Sequence, residues 1–261
     1  MDNNTPKNPN ELEEFWNNRA ESFPRYNQEE NSYENTMLET AKKLGAIFKG
    51  QRVLDVGCGS GMYTLKLSAL AQSVVGVDIS EKMLAISRED AQKLGYQNIT
   101  YVRSNWDDYQ PEGEFGVAFC SMCPPMKRDE AKAKLLNITG SGTLVYIGFD
   151  RYINPEPIEF LIHHYKLEKK TFNSGPDMRR WLDQGGHNYR WENKTGHWTN
   201  RYNREQAFKW CRTLLSDFGI DNPESSIIDA SLAPFWAQAS EQYVITTPYS
   251  VEMIVVVPSS Q

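Results

Sequence analysis

A chain of 261 residues with 28 Lys and Arg against 34 Asp and Glu carries a formal net charge of −6. As a whole, such a surface is a poor match for nucleic acid, although local patches can differ. No apolar run approaches the roughly 18 residues of a membrane helix, and the polar, acidic stretch from Met1 to Glu14 lacks a signal-peptide core. Four scattered cysteines suit a reducing, cytoplasmic setting, so the N-x-T sequences at Asn98, Asn137 and Asn193 carry no glycosylation meaning. The length is more than a minimal α/β domain needs, and insertions are expected.

Residues 1–10 read as a disordered tail. From Glu11 to Phe23, Leu12, Phe15, Trp16 and Arg19 recur at helical spacing, and Pro24 closes the run. Ser32 caps a second amphipathic helix reaching Phe48, with Met37, Leu38, Ala41, Leu44, Ile47 and Phe48 as its stripe. Next comes Val53-Leu54-Asp55-Val56-Gly57-Cys58-Gly59-Ser60-Gly61, a buried strand breaking into a glycine-rich turn. A helix from Met62 to Ala71 follows, then a second strand, Val74-Val75-Gly76-Val77-Asp78, ending on an acid. This is the opening βαβ unit of a nucleotide-binding sheet, whose ligand lies across the carboxyl ends of the strands.

The details decide which nucleotide. Met62 stands where a dinucleotide fingerprint needs its third glycine, and Asp55 lies at the lip of the first strand. A carboxylate there repels a pyrophosphate but favours a ligand carrying an ammonium and a sulfonium. On these residues the stretch from about 45 to 150 resembles the class I S-adenosylmethionine-dependent methyltransferases. The resemblance implies a doubly wound, mainly parallel seven-stranded sheet of Rossmann-like α/β type. It implies S-adenosylmethionine as cofactor and S-adenosylhomocysteine as product. Asp78 would hold the ribose diol, and Asp55, Gly57, Cys58, Gly59, Ile79, Met83 and Cys120 would line the same site. In such enzymes a segment before the sheet folds over the cofactor, which brings forward Tyr26 in Pro24-Arg25-Tyr26-Asn27; alternatively Tyr26 and Trp16 only pack on the sheet.

Ser80 caps a helix from Glu81 to Leu94, stopped by Gly95, and Asn98 to Arg103 is the third strand. By position in the family, Asn105 would bond the adenine amino group and Trp106 would pack on the ring; the other reading is a plain loop. The fourth strand, Gly116 to Cys120, leads into Ser121-Met122-Cys123-Pro124-Pro125-Met126, where the family faces its substrate. Cys123 and Met126 depart from the Asn/Asp-Pro-Pro-aromatic motif of amino-group methyltransferases, so no nucleobase acceptor is inferred. Cys120 and Cys123 form a C-x-x-C pair. Cys58 and Cys211 lack the paired spacing of a zinc site, and Pro124-Pro125 follows where a redox motif needs a helix, so ordinary thiols and no metal are expected.

Lys127 to Ile138 reads as a helix and Thr143 to Phe149 as the fifth strand. Gln242 to Thr247 and Val251 to Val257 read as a hairpin about Pro248-Tyr249 that completes the sheet at its antiparallel edge. That leaves a tail at 1–10, helices and cofactor core over 11–150, an inserted α+β lid over 151–240 between strands five and six, and the hairpin at 241–261. Within the lid, Glu156–Leu167, Pro176–Gln184 and a stretch capped by Asn203 and reaching Phe218 read as helices. His187–Glu192 and His197–Tyr202 read as a hairpin about Asn193-Lys194-Thr195-Gly196. From Arg151 to Arg212 there are 12 Lys and Arg against 7 Asp and Glu, a net of +5, interleaved with aromatics. Such a lid steers an anionic substrate, grips RNA by stacking and phosphate contacts, or is a sub-domain whose aromatics form its own core. All four histidines lie there, and His163 or His197 is a candidate general base beside Tyr26. The function expected is in-line methyl transfer to a small-molecule acceptor. The alternatives are an RNA or protein methyltransferase and a non-catalytic cofactor-binding protein.

Overall fold

The computed structural model describes residues 8–151, 153–169 and 171–257; most of the expected tail at 1–10, and Tyr152 and Lys170 of the lid, lie outside them. The helices and strands, in chain order, are α1 (Pro9–Arg19), α2 (Tyr33–Lys43), β1 (Arg52–Val56), α3 (Met62–Ser68), β2 (Ser73–Asp78), α4 (Glu81–Leu94), β3 (Ile99–Arg103), β4 (Val117–Ser121), α5 (Asp129–Asn137), β5 (Thr143–Arg151), α6 (Glu156–His164), α7 (Ser174–Gln184), β6 (Arg190–Tyr202), α8 (Arg204–Ser216), α9 (Ser225–Leu232), β7 (Trp236–Ala237) and β8 (Gln242–Val256).

The continuous apolar runs become the parallel centre of the sheet, because strands covered on both faces need no polar alternation. The strand order is β3-β2-β1-β4-β5-β8-β6, with β7 beside β8. Val53 pairs with Val74 on one side and Val117 on the other, and Cys120 pairs with Tyr146. Leu54, Val56, Ala118 and Cys120 are buried in one core together with Trp106, Met126, Tyr146 and Met178. Cap chemistry sets the helix ends. Ser32 Oγ accepts from Asn35 N, Ser80 Oγ from Met83 N, and Asn203 and Gln206 form a reciprocal capping box. α1 starts at Pro9, on the Asn8 cap, two residues earlier than expected and inside the stretch assigned to the tail.

The chain divides into two compact units, one holding residues 8–150, 173–194 and 251–257, the other 151–172 and 195–250. The stretch 151–240 is therefore split, with α7 and the start of β6 grouped with the core. Within the first unit, α7 is tied down by ion pairs: Lys132 Nζ, 2% exposed, lies 2.6 Å from Asp177, and Arg179 forks onto the buried Glu252 at 2.7 and 2.8 Å. In the second unit, α6, α8 and α9 pack Leu161, Ile162, Cys211, Leu215, Ile228 and Leu232 against Tyr243 and Ile245. Tyr165, Tyr202, Phe208 and Trp210 fold onto this cluster, so they serve as core.

Both expected hairpins are single long strands. Across Asn193-Lys194-Thr195-Gly196 the alternation of half-buried and exposed residues continues unbroken. Gly196 is needed not for a turn but because a Cβ there would fall 2.5 Å from the Tyr249 hydroxyl. Thr199 and Thr246 hydroxyls lie 3.1 Å apart, and the Trp198 and Tyr249 rings pack at 4.8 Å. Pro248 removes one ladder donor from β8, but its fixed φ suits extended backbone and does not reverse the chain. The antiparallel edge is thus built by β8 and β6 rather than by a terminal hairpin.

Gly61 opens α3 at φ +87°, where a Cβ would meet Ser87 Oγ at 1.9 Å, while Gly95 ends α4 at φ +75° with open space around it. Gly95→Ala is expected to lose about 1 kcal/mol, the left-handed penalty alone. Gly61→Ala, which adds the collision, should lose upwards of about 2 kcal/mol in denaturant unfolding. Equal losses would rule out the Ser87 contact as the reason for the glycine.

Candidate functional site

The turn after β1 is fastened to the end of β2. Gly57 N and Cys58 N both donate to Val77 O, at 2.8 and 3.1 Å, and Gly59 N donates to Asp78 Oδ2 at 2.8 Å. The other oxygen of Asp78 accepts from Ser80 N at 2.9 Å. Gly57 has φ +69°, and a Cβ on it would sit 2.5 Å from Cys123 Sγ, so only glycine lets the turn after β4 close onto the turn after β1. Asp55 is 2% exposed, and its Oδ2 accepts a 2.6 Å hydrogen bond from Thr64 Oγ1 in the first turns of α3.

These turns bound a cavity of about 240 Å³ at the carboxyl ends of β1, β2 and β4. Of the expected cofactor residues, Asp55, Gly57, Cys58, Gly59, Asp78, Ile79, Met83, Asn105 and Trp106 all line it. Cys120 does not: it points into the core with no exposed surface, and the wall there is made by Ser121, Met122 and Cys123 beyond it. Met122 takes the left-handed conformation, φ 52°, which carries the chain from strand to wall.

Asn105 and Trp106 are already engaged. The Asn105 amide exchanges bonds with Asp108 in a local turn, and Trp106, 4% exposed, donates from Nε1 to Ala131 O at 3.2 Å. The Asn105 carbonyl oxygen retains one lone pair, and Trp106 offers the cavity an edge.

Tyr26 is absent from the wall. Lys66 Nζ sits 4.9 Å from the centre of its ring, and burial together with the neighbouring Tyr96 raises its hydroxyl pKa. The side chains that reach the cavity from this segment are Leu12, Trp16 and Phe23. The helical stripe of Leu12 and Trp16 carries that signal, while the polar break at 24–27 lies outside the wall. His163 and His197 belong to the other compact unit and line no part of this cavity.

The electrostatics favour a cation. Among the described residues, three aspartates, at 55, 78 and 107, and one cationic side chain, Arg128, line the cavity, and Arg128 is paired with Asp107 at 2.6 Å. Burial pushes Asp55 up to about 7; the Thr64 hydrogen bond opposes the shift and the nearby Asp78 adds to it. Burial also raises Asp78, against the pull of the Ser80, Gly59 and Ile79 amides. Two desolvated acids side by side are costly to charge without a counter-ion.

Comparison with known proteins agrees with this geometry. Residues 53–139 match the family model of a methyltransferase domain. A demethylmenaquinone methyltransferase from Tropheryma whipplei (strain Twist) is 30% identical over 118 residues, 45% of this chain and 48% of that protein. A 23S rRNA (uracil(1939)-C(5))-methyltransferase from Alkalilimnicola ehrlichii is 39% identical over 83 residues, 32% of this chain and 18% of that protein. The chain thus spans less than half the length of either curated relative. The crystal structure of magnesium protoporphyrin IX methyltransferase from Synechocystis PCC 6803 with bound SAH shares the fold. Its TM-score is 0.52 at 15% identity, over 95% of this chain and 99% of that one. These matches support a class I S-adenosylmethionine-dependent methyltransferase domain over residues 53–139.

The Asp55 shift has a consequence for the ligand-free protein. From its ordinary 3.8 up to about 7, the folded chain keeps a proton that the unfolded chain releases, so stability falls as pH rises through that window and levels off above it. Asp55→Asn should remove this part of the slope in denaturant unfolding between pH 4.5 and 8. Thr64→Val, which deletes the opposing hydrogen bond, should extend the fall to higher pH. A wild-type profile identical to that of Asp55→Asn would remove the assignment.

Proposed function

We propose that this chain transfers a methyl group from S-adenosylmethionine to a small-molecule acceptor. One observation carries the reading: Asp55 and Asp78, both desolvated, face one cavity across a glycine turn that admits no Cβ at Gly57. This donor set fits the cofactor. Asp78, oriented by two backbone N–H groups, has lone pairs left for a ribose diol. Asp55 supplies the negative charge that an ammonium and a sulfonium require. When bound, the sulfonium supplies an electrophilic methyl carbon. Leu12, Trp16, Phe23 and Met122 then serve to keep water from it, and the rigid turns hold the reactants in line. Proximity and desolvation of this kind supply rate without a dedicated acid or base.

The net charge of −6 and the similarity to a demethylmenaquinone methyltransferase support a small acceptor over RNA. Incubating the protein with methyl-labelled S-adenosylmethionine and either a metabolite extract or total RNA tests this directly. Label in the small-molecule fraction is expected. Label in RNA, with binding that falls steeply with salt, would replace the acceptor class and leave the donor.

Calorimetry tests the donor. Asp78→Ala should weaken S-adenosylhomocysteine binding at least about tenfold, equivalent to 1.4 kcal/mol. Because a bound cation requires the Asp55 carboxylate ionised, affinity for S-adenosylmethionine should rise from pH 6 to 8 and flatten above the Asp55 pKa of about 7. Unchanged affinity in Asp78→Ala, or tight binding of NADH, would overturn the cofactor assignment.

A further inference from the structure

Two thiols meet behind the cavity wall. Cys120 lies in β4 with no exposed surface, between Val56 of β1 and Tyr146 of β5. Cys123 is half-buried and lines the donor cavity. The backbone N–H of Cys123 donates to Cys120 Sγ, and the Cys120 thiol donates to Cys123 Sγ. From sequence these are ordinary thiols, and both are free here; the fold sets them sulfur to sulfur. Met122, between them, is left-handed at φ 52°, a conformation that a methionine keeps only where its surroundings impose it.

The same sulfur touches the donor turn. A Cβ on Gly57 would fall 2.5 Å from Cys123 Sγ, so this sulfur occupies the space that the glycine leaves open. Cys123 Sγ thus has Cys120 on one side and the glycine turn on the other. A disulfide holds its sulfurs far closer than a hydrogen bond does. Cys120 cannot supply the movement, because its strand is paired on both sides inside the core. Closing the bond therefore draws Cys123 Sγ away from Gly57 and takes Met122, its neighbour in the wall, with it.

We propose that Cys120 and Cys123 form a peroxide-sensitive pair whose disulfide lowers affinity for the methyl donor. The effect on the donor rests on the donor reading above; the oxidation does not. Cys123 sulfur, reached through the cavity, attacks one oxygen of hydrogen peroxide. The O–O bond breaks, and the other oxygen leaves as water with the thiol proton. Cys120 sulfur then attacks the Cys123 sulfenic acid, the S–O bond breaks, and the Cys120 proton leaves with that oxygen as a second water. Two electrons pass from the thiols to the peroxide. A bound donor covers Cys123, so occupancy and oxidation oppose each other.

Peptide mapping and calorimetry of the full chain test the pair. Residues 104–127 contain no internal Lys or Arg before Lys127, so trypsin releases both sulfurs in one peptide. After hydrogen peroxide that peptide should be lighter by two hydrogens and refuse alkylation, and S-adenosylhomocysteine should bind at least about tenfold more weakly. Dithiothreitol, which reduces a disulfide but not a methionine sulfoxide, should restore both. Saturating S-adenosylhomocysteine should slow the oxidation. Cys120→Ala, at a side chain outside the cavity wall, should bind normally when reduced, and its loss after peroxide should not be reversed, because Cys123 without a resolving thiol runs on to sulfinic acid. Sulfinic acid at Cys123 of the wild type with no disulfide overturns the pair. A disulfide that leaves the affinity within twofold overturns the switch. Reduced wild type that binds no S-adenosylhomocysteine overturns the donor reading, a failure that the peptide mass reports separately.

Discussion

The Asp78 carboxylate is the joint on which the site depends. Its two oxygens take backbone N–H groups from two separate turns, Gly59 after β1 and Ser80 at the start of α4. Ser80 in turn caps α4 through Met83 N and donates to Asn17 Oδ1 of α1 at 2.7 Å. One half-buried acid therefore links the glycine turn, the helix that follows β2 and the segment that precedes the sheet. A carboxylate satisfied by backbone donors cannot rotate freely, so its remaining lone pairs keep a fixed direction. Such fixed direction is what recognition of two neighbouring hydroxyls requires.

Sequence signals were clearest where local chemistry and tertiary packing agree. α4 begins and ends where Ser80 and Gly95 say it should, because cap side chains act over a few residues and need no distant partner. The parallel core was legible for a related reason: a strand covered on both faces must be apolar throughout, and those runs have no other use. The two false hairpins show the opposite case. Asn-Lys-Thr-Gly and Pro-Tyr have turn-like composition, but the Gly196 contact with Tyr249 comes from a strand neighbour some fifty residues away in sequence. A glycine demanded by close approach looks the same in sequence as a glycine demanded by a turn.

The site was legible to a similar depth. Asp55, Gly57, Gly59 and Asp78 follow from strand ends and turn geometry. Cys120 lies one step short of the wall, since its side chain faces the core while Ser121, which ends β4, and the residues after it form the rim. Tyr26 stands outside the wall because the segment before the sheet presents Leu12, Trp16 and Phe23 to the cavity and leaves the polar break outside. Tyr63 carried no signal at all, as an aromatic in the first turn of a buried helix reads as packing until the cavity it lines is seen.

The way this leading segment is attached follows from what it covers. α1 contains no fully buried residue; Leu12 and Trp16 go to the cavity rather than to the protein's core, and Phe15 packs against Trp16 and Arg19. It is held instead by polar contacts at its margins. Glu13 pairs with Arg103, Asn17 meets Ser80, Pro24 O accepts from Ser60, Arg25 pairs with Asp90, and Asn27 O accepts from Lys66. The two ion pairs among these, Glu13–Arg103 and Arg25–Asp90, contribute roughly 0–1 kcal/mol each, well below the burial of a large apolar side chain in a closed core. A ligand that fills the cavity gives Leu12, Trp16 and Phe23 a further apolar surface to cover, beyond the contact that Trp16 and Phe23 make with each other. Any ligand that fills the space without meeting Asp55 and Asp78 gains that cover but leaves two desolvated acids unpaired.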